Sequence, residues 1–113
     1  MTVIYHNPRC GKSRDTLAIL IEKGEDVQIV EYLKEVPTSE QLSEILALLG
    51  IAAEELIRKG ETAYKENFKG KNLTEEEWIS AMVAYPKLIE RPIVVKNGKA
   101  AIGRPPENVL AIL

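Results

Sequence analysis

The sequence predicts an α/β fold, a four-stranded mixed sheet covered by helices, with further helices inserted between the second and third strands. Three observations lead there. Residues 2–32 read as strand, helix, strand, which implies a βαβ unit with parallel strands. The middle of the chain carries two helix-start signatures and no strand signal. The end carries two short strands joined by Asn97-Gly98, a strong two-residue hairpin signal, followed by a proline-led helix start.

Each element follows from local residue chemistry. Thr2 to His6 is rich in β-branched and aromatic residues and predicts a strand, which Asn7-Pro8 breaks. A helix is expected from near Gly11 to about Lys23, with Leu17, Leu20 and Ile21 on one face and Gly24 as a left-handed stop. Val27 to Tyr32 is the second strand. After Pro37, Thr38 and Gln41 form a capping box. Leu42, Ile45, Leu46 and Leu49 then follow helical spacing to Gly50. Ala52 to Lys59 predicts another short helix before Gly60, and residues 61–73 are polar and expected to be partly irregular. Thr74 and Glu77 form a second capping box, and Trp78, Ile79, Met82 and Val83 give that helix a core-facing side. Pro92 introduces the strand Ile93-Val94-Val95, Ala100 to Ile102 is its hairpin partner, and Arg104-Pro105-Pro106-Glu107 opens a last helix. This order is the thioredoxin-like (glutaredoxin-like) arrangement with a helical insertion. No repeat, low-complexity segment or linker interrupts it, so a single domain over residues 1–113 is expected.

Composition narrows the function classes. Hydrophobic residues make up 45% and charged residues 28%, an ordinary globular mix. A formal charge of -2 argues against electrostatic binding of nucleic acid. No apolar run approaches membrane-spanning length. The opening MTVIYHNPRC has no basic start followed by an apolar stretch, so a cytoplasmic location is expected. One cysteine excludes an intrachain disulfide, and one histidine beside it leaves no zinc ligand set, so no metal is expected.

A lone cysteine is usually a small buried hydrophobe. Local sequence argues otherwise for Cys10. It sits where the first strand gives way to the first helix, and Arg9, Lys12 and Arg14 surround it with positive charge. The unpaired N–H groups of a helix start stabilise a thiolate and can also hold an incoming oxyanion. Other motifs fail. A phosphate-binding P-loop ending in Gly11-Lys12-Ser13 needs glycine where His6 stands. A phosphatase loop needs arginine where Thr16 stands, and a dithiol centre needs cysteine where Ser13 stands. What remains is one thiol that an outside thiol must recycle. Arg58, Arg91 and Arg104 are each most simply solvated surface charges. Arg91 and Arg104 nonetheless lie beside prolines at element edges, and an arginine fork suits a tetrahedral oxyanion. Pro92 is the candidate for the cis proline that faces the thiol in thioredoxin-like folds.

The segments His6-Asn7-Pro8-Arg9-Cys10-Gly11-Lys12-Ser13-Arg14, Glu90-Arg91-Pro92-Ile93-Val94-Val95 and Gly103-Arg104-Pro105-Pro106 resemble the signatures of the glutaredoxin-linked arsenate reductase family. The resemblance covers nearly the whole chain, including Leu56-Ile57-Arg58. It implies an arsenic-detoxifying oxidoreductase in which Cys10 attacks the arsenic of arsenate. Arg58, Arg91 and Arg104 match the oxyanion-binding arginines. His6, four residues before Cys10, matches a position of electrostatic help, though it reads equally as a satisfied strand-end histidine. Gly11, Ser13, Arg14 and Pro92 support the loop. No bound cofactor is implied; glutathione is the external reductant and glutaredoxin the protein partner. Lys12 stands where the best-known members have threonine, and the extent of the chain resembles a short arsenate-reductase-like subgroup. A related branch of polymerase-binding regulators commonly carries C-x-x-C, against which Ser13 argues. A one-thiol oxidoreductase acting on glutathione mixed disulfides and a non-enzymatic regulatory module are the competing readings.

Overall fold

In a computed structural model describing residues 1–113, Thr2–His6 forms β1 and pairs in parallel with β2 (Val27–Glu31) after the intervening helix α1 (Gly11–Glu22). The chain continues through α2 (Ser39–Leu49), α3 (Thr62–Asn67) and α4 (Glu75–Ala84) to β3 (Ile93–Lys96) and β4 (Lys99–Ile102). Short 3₁₀ turns occupy Ala53–Leu56, Pro86–Leu88 and Pro106–Ile112. Contacts gather into two units, one of Met1–Glu35 with Arg91–Leu113, the other of Val36–Glu90. No helix is long and apolar enough to cross a membrane.

The first unit holds the sheet, in the order β2-β1-β3-β4. β1 runs antiparallel to β3 with Tyr5 opposite Ile93, and β3 antiparallel to β4 with Ile93 opposite Ile102. This is the predicted four-stranded mixed sheet. Thr2, Ile4 and His6 alternate inward along β1, as a half-covered strand requires. Ile4, Leu20, Val94 and Val109 are wholly buried together, with Leu17, Ile19 and Ile112 packed around them. Asn97 and Gly98 both take positive φ, 49° and 72°, the geometry that a tight two-residue hairpin demands. Away from the Cys10 end, Glu25 accepts hydrogen bonds from Thr2 Oγ1 at 2.6 Å and Lys96 Nζ at 2.9 Å. Lys96, then Thr2, hold the Glu25 carboxyl below the usual carboxylate range. β2 is an edge strand with Ile29 half-exposed.

The second unit is helical. Thr38 with Gln41 and Thr74 with Glu77 make the reciprocal hydrogen bonds of complete capping boxes. Gly50 stops α2 in the left-handed conformation, φ 69°. One expectation is corrected here. Ala52–Lys59 is not an α-helix but a single 3₁₀ turn at Ala53–Leu56. Its remainder is drawn into extended pairing: Ile57 bridges Ile89, the Arg58 N–H donates to Leu88 O, and the Glu90 N–H donates to Leu56 O. The polar stretch 61–73 is partly irregular, as expected, and contains the short helix α3. Its Tyr64 stacks on Trp78 with ring centroids 6.3 Å apart, and Phe68, four residues on, lies 6.0 Å from the same ring. The last helix is also tighter than expected, a 3₁₀ segment whose Val109 is wholly buried.

Two outcomes test this architecture. Leu20→Ala removes a wholly buried side chain from the sheet core and is expected to cost about 2–5 kcal/mol, read from the denaturant midpoint. Glu25→Gln should lower the melting temperature near neutral pH. Because the folded carboxyl titrates below its unfolded value, its contribution is complete above the ordinary carboxylate range and fades as pH falls through the lowered value. Melting temperatures of the two proteins should therefore converge as pH falls below 4.5 toward the lowered value.

Candidate active site

The register of the sheet determines what lies at its Cys10 end. β1 ends at His6 beside the start of β3, and β3 starts beside the end of β4. The loop after β1, the turn before β3 and the turn after β4 therefore emerge at the same end. These carry Cys10, Arg91-Pro92 and Arg104-Pro105 in turn. Both Arg-Pro bonds are cis, that at Pro92 as expected and that at Pro105 in addition. Gly103 N–H donates to Pro92 O at 2.9 Å and Arg104 Nη1 to Arg91 O at 3.3 Å, so the two turns are laced together.

Cys10 is the residue that caps α1, in extended conformation (φ -94°, ψ 124°), and its thiol makes no capping hydrogen bond. It is a half-buried free cysteine. The first-turn amides of Gly11, Lys12 and Ser13 lack partners within the helix, and no acidic side chain occupies that turn. An anion at this position meets oriented N–H groups and unopposed positive charge.

The loop that presents Cys10 is built by its neighbours. Asn7 Oδ1 accepts from the Arg9 N–H at 3.0 Å, and Asn7 O from the Cys10 N–H at 3.0 Å. Arg14 Nη1 reaches back to Pro8 O at 3.0 Å. Ser13, wholly buried, accepts the Asn7 N–H at 3.0 Å and lies 2.7 Å from His6 Nδ1. Besides accepting from Asn7, the Ser13 hydroxyl shares a hydrogen bond with Nδ1 whose direction follows the ring's tautomer. His6 is 5% exposed, and burial pushes its pKa below 6.5, Glu31 opposing and Arg14 adding to the shift. The ring is thus held in its neutral form and acts on the loop through Ser13.

Of the residues singled out in the sequence, Cys10, His6, Gly11, Ser13, Arg14, Pro92, Arg91 and Arg104 all belong to the first unit. Arg58 belongs to the second, where Glu61 at 2.9 Å and Glu90 at 3.7 Å pair with it. No group of three or more His, Cys, Asp or Glu side chains is placed to hold a metal. Sequence reasoning missed Asn7 and Thr16. Asn7 was read only as a strand breaker, though an Asx turn ahead of a helix is a recognisable signal. Thr16 Oγ1 donates to Lys12 O at 2.8 Å and is wholly buried. A threonine on the same helix face as Ser13 carries no such signal.

The burial of His6 has a pH consequence. Both states hold it neutral above about 6.5; below that the unfolded chain takes up a proton that the folded ring resists. Stability is therefore lost as pH falls from 6.5 toward the lower folded value. His6→Gln should flatten that part of the melting-temperature profile. Ser13→Ala leaves the Asn7 N–H and His6 Nδ1 without their shared partner and should cost about 1–3 kcal/mol by denaturant unfolding.

Known proteins share this sequence and architecture. Residues 5–112 match the ArsC family. The Escherichia coli (strain K12) protein named "Uncharacterized protein YfgD" is 54% identical over 97% of this chain and 94% of its own length. A Neisseria meningitidis protein named "Arsenate reductase" is 44% identical, over 97% of this chain and 96% of its own. The solved structure named "Arsenate reductase from Vibrio cholerae" superposes with a TM-score of 0.95 at 47% identity, covering 99% of this chain and 97% of that one. The chain belongs to the ArsC family, and its fold is that of ArsC-type, thioredoxin-like arsenate reductases.

Proposed function

We propose that this chain is an oxidoreductase that reduces arsenate to arsenite through Cys10, with glutathione as the external thiol and glutaredoxin as the recycling partner. The observation that carries the reading is the meeting, at one end of the sheet, of a helix-capping thiol with two laced arginine turns, Arg91-Pro92 and Arg104-Pro105. The names of the relatives point to the same substrate.

The reaction follows from those groups. Arsenate is held by the α1 amides and by Arg91 and Arg104, whose planar forks offer paired charge-assisted hydrogen bonds. Arg58 is named as a third oxyanion-binding arginine by the sequence resemblance alone. The Cys10 thiolate attacks arsenic, an As–S bond forms and one arsenic oxygen leaves as water. Glutathione forms a second bond at arsenic in the same way. One water then adds at arsenic, which gains two electrons and departs as arsenite while the two sulfurs join as a mixed disulfide. Glutaredoxin, through its own thiol, takes the glutathione and returns Cys10 to the thiol. Neutral His6 holds Ser13 and so the loop, and takes no covalent part. The cytoplasm, where glutathione keeps thiols reduced, is the compartment this cycle requires.

Arsenite formation in the presence of glutathione and glutaredoxin is the test. Wild type should form arsenite, and Cys10→Ser should fall to the uncatalysed background. Arg91→Lys and Arg104→Lys each lose the fork geometry and should lower kcat/KM for arsenate about 10–100-fold. Turnover of a glutathionylated peptide without arsenite formation would favour the mixed-disulfide oxidoreductase instead. Equal arsenite formation by wild type and Cys10→Ser would sink the enzymatic reading.

A further inference from the structure

Gly103 is buried at the end of β4, immediately before Arg104-Pro105. Its φ lies outside the left-handed region, so backbone conformation does not require glycine there. Crowding does. A Cβ at this position would collide with Thr16 Oγ1, lie 2.8 Å from Pro92 Cγ and 3.1 Å from Thr16 Cγ2. Real Cβ atoms essentially never approach so closely, and neither neighbour can yield easily. Pro92 is a rigid ring at the start of β3, and Thr16 is wholly buried with its hydroxyl bonded to Lys12 O. Gly11, by contrast, has only Arg14 Nη2 near, at 3.8 Å.

Three structural pieces therefore touch at one point: the α1 helix that Cys10 caps, the turn that carries Arg91, and the turn that carries Arg104. We propose that Gly103 and Thr16 form a spacer that sets the distance between the Cys10 helix and the two arginine turns, and so sets the fit of the site to a tetrahedral oxyanion. Both are positioning residues: neither carries a charge, and each acts through its neighbours. This rests on the reading of the site as an oxyanion site, but not on turnover. A methyl group at 103 wedges α1 away from the turns by a few tenths of an ångström or more. Hydrogen bonds to an anion bridging the two sides then lengthen together, while the thiol itself is untouched.

The experiment follows alkylation of Cys10 by iodoacetamide in the intact chain, with arsenate or sulfate added as protectant. Wild type should be protected, giving a midpoint concentration. Gly103→Ala should alkylate at the wild-type rate without anion, yet need about tenfold more anion for half-protection. Thr16→Ala removes both helix-side contacts and leaves only Pro92 Cγ, so Thr16→Ala/Gly103→Ala should recover most of the loss, to within about threefold of Thr16→Ala alone, a non-additivity that marks direct contact. Thr16→Val places a methyl where the hydroxyl stood and crowds from the helix side. Measured against Thr16→Ala, which also lacks the hydroxyl, it should raise the midpoint about threefold, and it keeps the proposal open to refutation if Gly103→Ala fails to fold. With wild type protected, unmoved midpoints in folded Gly103→Ala or in Thr16→Val overturn the spacer alone. A midpoint that the double variant does not relieve does the same. A wild type that no oxyanion protects overturns the oxyanion site and the spacer with it.

Discussion

The antiparallel pairing of β1 with β3 is the constraint on which the site depends. Setting Tyr5 against Ile93 brings the exit of one strand beside the entrance of another. Shifting that register by one residue would put Ile4 and Val94 on opposite faces of the sheet. Because both core residues are wholly buried, the hydrophobic effect holds the register. The chemistry of the Cys10 end is thus positioned by aliphatic packing several residues away. The hydrogen bonds of Asn7, Ser13 and Arg14 then shape the loop locally.

Positive charge gathers at the start of α1. α1 has no acidic residue in its first turn, and Arg9, Lys12 and Arg14 flank its cap. His6 contributes no further charge near neutrality, because burial favours the uncharged ring. Burial decides for the neutral ring, while Glu31 favours an imidazolium there and Arg14 opposes it. A neutral ring bonded to Ser13 orders the loop without adding charge.

The parts legible in the sequence are those where local chemistry and tertiary context agree. Both capping boxes, the Asn97-Gly98 hairpin and the βαβ opening encode their own geometry within a few residues. Ala52–Lys59 was misread because its apolar residues fit a helix, while the stronger claim on Ile57 came from a bridge to Ile89, distant in the chain. α3 was missed for the complementary reason. A six-residue helix has little intrinsic stability, and what holds Tyr64 and Phe68 is the ring of Trp78. At the Cys10 end, residue types and motif spacing pointed to the helix-capping thiol and to the two Arg-Pro turns. Nothing local could disclose Gly103, whose requirement is written in the side chains of Thr16 and Pro92.

The solitary thiol has one more consequence. A chain with a single cysteine cannot fold its own oxidation inward as an internal disulfide. Short of a bond to the chain's own backbone nitrogen, an oxidised form carries foreign atoms: an added oxygen, a small thiol, or another protein. Where a two-cysteine protein hides its redox history in a loss of two hydrogens, this one displays it as added mass. The intact mass of the protein drawn from living cells would therefore name whatever last reacted with Cys10.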